Sequence, residues 1–266
     1  MSQISILGCG WLGFPLALSL QRKGFSIKGS TTSEEKKSTL KAAQIDPYLI
    51  HLTEEEVKGD FTSFTKGSKM LIINVPPGMR RDSSPDFSKK TAALIPLIER
   101  AGIEQLLFVS STSVFSDFQG EVDEDSSPMP DTTSGIALLR SEQLLMENQS
   151  FKTTVIRFAG LFGPDRHPIY YLAGREGLSG GNAPVNLIHL EDCIGLIEKV
   201  IQTNYWGKIL HGVHPNHPKK SDYYTHQAIK KNLDMPRFQE EENSKYKLIL
   251  SKVASQELGY IFKKPL

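Results

Sequence analysis

The first residues in the chain that could do chemistry are three closely spaced glycines, Gly8-Cys9-Gly10-Trp11-Leu12-Gly13. A diphosphate can reach peptide N–H groups only where side chains are missing. Gly8 permits a tight turn, Gly10 removes the side chain that would occupy the phosphate's place, and Gly13 lets a following helix pack closely on the preceding strand. Ile4 and Ile6 alternate ahead of the glycines as in a strand, and Leu12, Leu16 and Leu20 follow at helical spacing. The start of such a helix adds N–H donors and partial positive charge. This context makes Gly8, Gly10, Trp11, Leu12 and Gly13 candidate dinucleotide-binding residues.

The next group is the hydroxyl run Ser110-Ser111-Thr112-Ser113, followed by Val114-Phe115. Hydroxyls both donate and accept hydrogen bonds, which suits a bound carbonyl or sugar. Between the two groups, the apolar run Met70-Leu71-Ile72-Ile73 has the character of a buried parallel strand and stops at Pro76-Pro77-Gly78. Loops at the carboxyl edge of a parallel sheet form its ligand crevice, so Asn74, Val75 and Pro76 are expected beside the dinucleotide.

The second strand, read at residues 25–29, bears on which dinucleotide is preferred. An NAD site of this type usually carries an Asp or Glu roughly twenty residues past the first glycine. None stands between Gly24 and Ser33, while Thr31, Thr32, Lys36 and Lys37 offer hydroxyls and positive charge. The pattern leans to NADP, with NAD as the alternative; the same residues also suit a helix cap followed by a solvated charged face.

Positioning these groups requires an alternation of strands and helices, and the sequence supplies one. Further strands are read at 48–52, 69–75, 105–109 and 153–159, and helices at 87–101 and 134–147, which indicates an α/β, doubly wound parallel sheet. Residues 116–133 form a long loop rich in Asp, Ser and Pro. Beyond Gly160 the regularity fades, with a helix at 191–202, a strand at 209–213, a helix opened by Ser221 and a terminal helix ending before Gly259.

Composition limits the function classes. The chain has 266 residues, 39% of them hydrophobic, and a formal net charge of +1, with no dense basic stripe to attract nucleic acid or an anionic membrane. Small molecules are the expected partners. Cys9 and Cys193 stand in separate motifs, without metal-site spacing, and read as packing residues in a reducing, cytoplasmic setting. Residues 1–21 carry no charge, but Gly8, Gly10, Gly13 and Pro15 interrupt them and Arg22 and Lys23 follow them, which opposes a signal peptide. His211, His214 and His217 stand three apart, yet Pro215 and Pro218 exclude a regular helix face, so a polar loop is expected and no metal site. Glu54-Glu55-Glu56 and Glu240-Glu241-Glu242 read as solvated surface.

Taken in order, the glycine motif, Asn74-Val75-Pro76-Pro77-Gly78, Ser110-Ser111-Thr112-Ser113-Val114-Phe115, Ile156-Arg157-x-x-Gly160-Leu161-Phe162-Gly163-Pro164 and Val185-Asn186-Leu187-Ile188-His189-x-x-Asp192 resemble the extended short-chain dehydrogenase/reductases. The closest likeness is to their atypical, nucleoside-diphosphate-sugar epimerase-like branch. The resemblance implies a Rossmann domain over residues 1–159 and 188–213, and a small substrate domain over 160–187 and 214–266. A homodimer is a possible assembly. Ser111 falls on the family's catalytic Ser/Thr, while Thr112, Arg157, Asn186 and His189 fall on its substrate side. Taken by themselves, Arg157 could equally pair with a buried carboxylate, and His189 with Asp192 could only cap a turn.

Two departures bear on activity. Phe115 replaces an aromatic hydroxyl, and the family's Tyr-x-x-x-Lys frame reads Ser134-Gly135-Ile136-Ala137-Leu138, with Glu142 retained downstream. Serine is too weak an acid near neutral pH to replace tyrosine, and leucine offers neither charge nor donor. Substitutes would have to come from loops, with Asp131, Tyr170 and Tyr171 as candidates. Two functions follow: an enzyme acting on a sugar nucleotide or small carbonyl compound by a non-standard acid/base arrangement, or a non-catalytic dinucleotide-binding sensor.

Overall fold

The computed structural model describes residues 2–78, 86–240 and 246–266. Its centre is a sheet of seven parallel strands: β1 (Gln3–Leu7), β2 (Ser26–Thr31), β3 (Asp46–Leu49), β4 (Met70–Ile73), β5 (Gln105–Ser111), β6 (Lys152–Phe158) and β7 (Ile209–Gly212). Their order is β7-β6-β5-β4-β1-β2-β3. The chain reverses direction across the sheet between β1 and β4, and in an open α/β sheet the crevice at that reversal is where ligands bind.

Strand side chains alternate between faces, so each strand feeds two cores. Ile4 and Ile6 of β1, Ile72 of β4 and Leu107 of β5 face one side, where Leu16, Ala17 and Leu20 of helix α1 (Gly13–Arg22) cover them. Leu7, Leu71, Ile73, Leu106 and Phe108 face the other side, under the helices Phe87–Arg100 (α3) and Thr133–Met146 (α4). Helix α2 (Glu34–Ala42) follows β2, and α5 (Leu190–Thr203) packs beside α1. Each fully buried leucine in these layers contributes about 1.5–3 kcal/mol. Pro96 lies inside α3 on its exposed side, where water can satisfy the carbonyl whose partner it removes.

A third apolar cluster, Phe162, Ile169, Val185, Leu187, Tyr223, Tyr224 and Ala228, forms the core of the region beyond the sheet. Helix α6 (Lys220–Lys230) supplies its tyrosines, and the short parallel strands Gly160–Phe162 and Leu187–His189 link it to the crevice.

The tail corrects the expected division of the chain. Residues 214–266 do not all belong to this small region: Ile249 enters the second face of the main core, and Val253, Ala254, Leu258 and Tyr260 enter the first. The expected terminal helix is only a short helical turn, Val253–Glu257. The loop over residues 116–132 is also built into the body, since its strand Gly120–Val122 pairs with Lys247–Ile249. The Glu124 carboxylate accepts from the backbone N–H groups of His211, Lys252 and Val253. Of the acidic runs, Glu240 is exposed, and Glu241 and Glu242 lie outside the described residues. No helix among the described residues is long and apolar enough to cross a membrane.

Candidate functional site

The three glycines have separable reasons to be glycine. At Gly8, φ is +104° and a Cβ would lie 2.4 Å from the Asn74 carbonyl oxygen; at Gly13 a Cβ would lie 2.1 Å from the Gly8 carbonyl oxygen. Both are dictated by the protein's own packing. A Cβ on Gly10 would meet nothing within 4 Å, so the fold makes no such demand there. The loop is pinned on both sides: the Gly8 N–H donates to Ser30 Oγ (2.9 Å), the Cys9 N–H to the Ser30 carbonyl (2.8 Å), and Asn74 Nδ2 to the Gly8 carbonyl (3.0 Å). The loop runs into α1, whose cap residue Leu12 supplies no side-chain bond and whose first turn holds no acidic residue. In its first turn the Phe14 N–H donates to the Gly10 carbonyl, the Leu16 N–H donates to the Leu12 carbonyl and Pro15 has none, so what faces an anion is the loop backbone ahead of Phe14 together with the positive end of the helix dipole.

A cavity of about 300 Å³ opens over this loop, lined by Gly10, Trp11, Leu12, Asn74, Val75 and Pro76. It runs into a second of about 780 Å³ that reaches Thr112, Ser113, Ser134 and Lys247. The two share a seam that includes Pro77, Ser110, Ser111, Leu138, Leu161 and Arg166. Most of the expected dinucleotide contacts thus lie around one cavity, with Ser111 at the junction and Thr112 beyond it. Ser111 Oγ accepts from the Ser113 N–H at 3.1 Å, capping the short 3-10 turn Thr112–Val114 and leaving its hydroxyl hydrogen free to point elsewhere. Thr31 and Thr32 line neither cavity: Thr31 is buried at the end of β2, its Oγ1 accepting from the Ser33 N–H, and Ser33 caps α2. Lys37 pairs with Glu34.

Several residues expected on the substrate side hold the scaffold instead. Arg157 lines neither cavity. Its guanidinium makes a buried, bidentate ion pair with Glu142, at 2.7 Å from Nη2 to Oε2 and 3.1 Å from Nε to Oε2, and lies over the Phe115 ring. Ser110 Oγ completes the network with a 2.5 Å bond to Glu142. The buried-carboxylate alternative describes Arg157. Asn186 donates to the Lys247 carbonyl (2.7 Å) and accepts from the Ile249 N–H (3.0 Å), clipping the tail strand in place. His189 caps α5 by accepting from the Glu191 N–H. Asp192 is fully buried and accepts from Tyr260 Oη and the Lys263 and Lys264 N–H groups, anchoring the chain's end.

The suggested acid/base substitutes are also elsewhere. Asp131 and Tyr170 line neither cavity, and Tyr171 faces a separate hollow with Lys220, Tyr224 and Phe238. The three spaced histidines diverge: His211 Nδ1 meets the Leu250 carbonyl, His214 Nδ1 accepts from the Asn216 N–H, and His217 Nδ1 meets the Val185 carbonyl. Among the described residues no three His, Cys, Asp or Glu side chains gather as a metal site. Cys9 and Cys193 are buried, and burial pushes the Cys9 thiol up to about 12, which leaves it unreactive.

Two cations in the cleft have no counterpart among the sequence expectations. Lys247 Nζ donates to the carbonyls of Thr112 (3.2 Å) and Phe115 (2.5 Å) and pairs with the exposed Asp117 at 3.2 Å. It arrives from a strand whose partner is more than a hundred residues away, so no local signal could have revealed it. Arg166 lies at the seam, its guanidinium 5.0 Å above the Trp11 ring centre. Its place three residues after Gly163 at the end of a recognised motif was the available clue.

No protein-family model matches the chain. The protein YeeZ of Escherichia coli (strain K12) is 34% identical over 270 residues, covering 100% of this chain and 97% of YeeZ. The chain belongs to the YeeZ family. Its fold is that of the extended, epimerase-like short-chain dehydrogenase/reductases. A functionally unknown conserved protein from Silicibacter pomeroyi superposes with a TM-score of 0.81 at 21% identity, covering 100% of this chain and 95% of that one. The UDP-glucuronic acid 4-epimerase of Bacillus cereus, in complex with UDP-glucuronic acid and NAD, gives 0.80 at 16% identity, covering 99% and 95%.

Proposed function

We propose that this protein binds a nicotinamide dinucleotide, NADP in preference to NAD, over the glycine loop, and acts on a sugar nucleotide or small carbonyl compound in the larger cavity. The observation that carries the reading is Gly10. The fold leaves open space where its side chain would be, as expected if that space serves a ligand. The loop backbone from Gly10 to Leu12, the positive end of the α1 dipole and the cavity beside them fit the diphosphate, while Asn74, Val75 and Pro76 fit the far wall. When bound, the nicotinamide supplies hydride chemistry.

The chain's own residues then have distinct tasks. Ser111, whose oxygen is held by the Ser113 N–H, can turn its hydrogen toward a substrate oxygen at the seam. Arg166 and Lys247 make the cleft electropositive, and no carboxylate lines either cavity among the described residues. That favours an anionic substrate, as a sugar nucleotide would be. The B. cereus neighbour, which holds both NAD and a sugar nucleotide, supports the same pairing of ligands. The NADP preference rests on the missing carboxylate after Gly29, since a carboxylate there would repel a 2′-phosphate.

One observation favours the sensor reading. Ser134 and Leu138 line the cleft where the family's Tyr and Lys would act, and Arg166 and Lys247 are the titratable side chains on its described lining. Isothermal calorimetry with NADP and NAD tests the proposal: tighter NADP binding is expected. Absence of binding to either overturns it, and equal or tighter NAD binding overturns the preference.

A further inference from the structure

We propose that Arg166 is a clamp on the dinucleotide's diphosphate, reaching across the cleft from the wall opposite the glycine loop; this rests on the dinucleotide reading above. Three observations converge on it. First, the guanidinium carbon lies over the Trp11 ring, 5.0 Å from its centre, Trp11 being a member of the loop itself, and Arg166 borders both cavities. A cation held over an indole face keeps its N–H donors unspent, and the guanidinium fork matches phosphate oxygens two at a time. Secondly, Arg166 has no ion pair and no side-chain hydrogen bond among the described residues, unlike Lys247, which is engaged by two carbonyls and Asp117.

Thirdly, the backbone that carries it is fixed. The Gly163 N–H donates to the Arg166 carbonyl at 2.7 Å and the Arg166 N–H to the Gly163 carbonyl at 3.2 Å, closing a tight turn through Pro164 and Asp165. That turn rests on Trp11: a Cβ on Gly163 would lie 2.9 Å from the indole Cζ2. Glycine at 163 therefore lets the turn approach the loop, and the approach sets the guanidinium beside the open space at Gly10 and the start of α1. An anion held there meets the glycine-loop backbone and the positive end of the α1 dipole on one side and Arg166 on the other.

The test uses calorimetric titration of NADP, NAD and ADP-ribose, all of which contain the diphosphate, into wild type, Arg166→Met and Arg166→Lys. Trp11 fluorescence in a Trp206→Phe background provides a second readout. Because Arg166 is exposed, both variants are expected to fold, and their melting temperatures check this. Arg166→Met should weaken all three ligands by roughly 10- to 100-fold and flatten the salt dependence, with Arg166→Lys in between, since charge-assisted bonds to a planar fork are lost. If wild type binds and Arg166→Met binds all three within about twofold, the clamp is refuted while the dinucleotide site stands. If wild type binds none of them, the dinucleotide reading itself fails and takes the clamp with it.

Discussion

The two walls of the cleft are assembled in opposite ways. On the glycine side, the consecutive residues Gly10, Trp11 and Leu12 make the ligand-facing surface, and Ser30 and Asn74 hold the loop in place through Gly8. On the facing side, Leu161 and Arg166 come from one segment and Lys247 from another more than eighty residues on, and that wall depends on remote clips: Asn186 on the tail strand, Lys247 on the Thr112–Val114 turn and Asp192 on the chain's end. In the first wall the recognisable residues touch the ligand space. In the second, recognisable residues such as Arg157, Asn186 and His189 support the wall, and the two cations that face the cavity, Arg166 and Lys247, lie outside the motifs.

The sharpest way to break this comparison is inside the glycine loop. Gly10→Val puts a side chain into space the fold leaves empty, so dinucleotide binding should become undetectable by calorimetry with the melting temperature nearly unchanged. Gly13→Val instead drives a Cβ against the Gly8 carbonyl and should lower the melting temperature steeply, because backbone must move. Equal losses of stability in the two variants would show that Gly10 serves the fold as Gly13 does.

On the opposite wall the expected loss is one of stability. Arg157→Met leaves the Glu142 carboxylate buried without its cation, at a cost of about 3–5 kcal/mol in denaturant unfolding, and adding Glu142→Leu should recover most of it. If Arg157→Met unfolds at the wild-type denaturant concentration but binds substrate poorly, Arg157 belongs to the site after all.

How legible each wall was follows from the same physics. The sheet and its helices could be read because strand alternation and helical spacing are local, and because Gly13 answers to Gly8 within one strand-turn-helix unit, while the φ of +104° at Gly8 is set by the turn itself. Arg157 was ambiguous for a physical reason: a strand arginine suits a phosphate or a buried carboxylate equally well, and the deciding partner, Glu142, sits on another element. Lys247 was hidden because the Gly120–Val122 and Lys247–Ile249 strands are three residues each and find one another across more than a hundred residues. The terminal helix was misjudged because residues 249–260 have their apolar positions set by the sheet they pack on rather than by helical spacing.

Behind the second wall, His211 links acidity to stability. It is fully buried, its Nδ1 meets the Leu250 carbonyl, Nε2 has no hydrogen-bond partner among the described residues, and the Phe115 ring, Arg157 and Asp123 lie around it. Burial lowers its pKa from the ordinary 6.5 to about 4. Above pH 6.5 folded and unfolded chains are both neutral at this residue. As pH falls from 6.5 towards 4 the unfolded chain takes a proton that the folded one refuses, so stability is lost over that window, by up to about 3 kcal/mol, and levels off below it. Denaturant unfolding of wild type and His211→Gln across pH 8 to 4 reads the difference. Parallel curves would mean that His211 does not titrate differently in the two states.

The smallest structural effect is expected at the seam, where the two walls meet. Ser111→Ala removes a cap from a three-residue turn, worth about 1 kcal/mol, so the variant should fold and bind the dinucleotide as wild type does. Any turnover should respond differently. On the proposed reading, in which Ser134 and Leu138 stand in place of the acid/base pair, wild type is expected to turn over sugar nucleotides roughly 10²- to 10⁴-fold more slowly than a chain that keeps the pair, this being the usual contribution of a positioned proton-transfer group. What remains should depend on the Ser111 hydroxyl, as it is the hydroxyl common to both cavities whose hydrogen the cap leaves free, apart from Ser110, which is committed to Glu142. A screen of sugar nucleotides and small carbonyl compounds, followed by nicotinamide absorbance and product analysis, measures this. Turnover lost in Ser111→Ala with dinucleotide affinity retained would place the chemistry at the seam. Robust turnover that survives the substitution would move it to groups supplied from elsewhere.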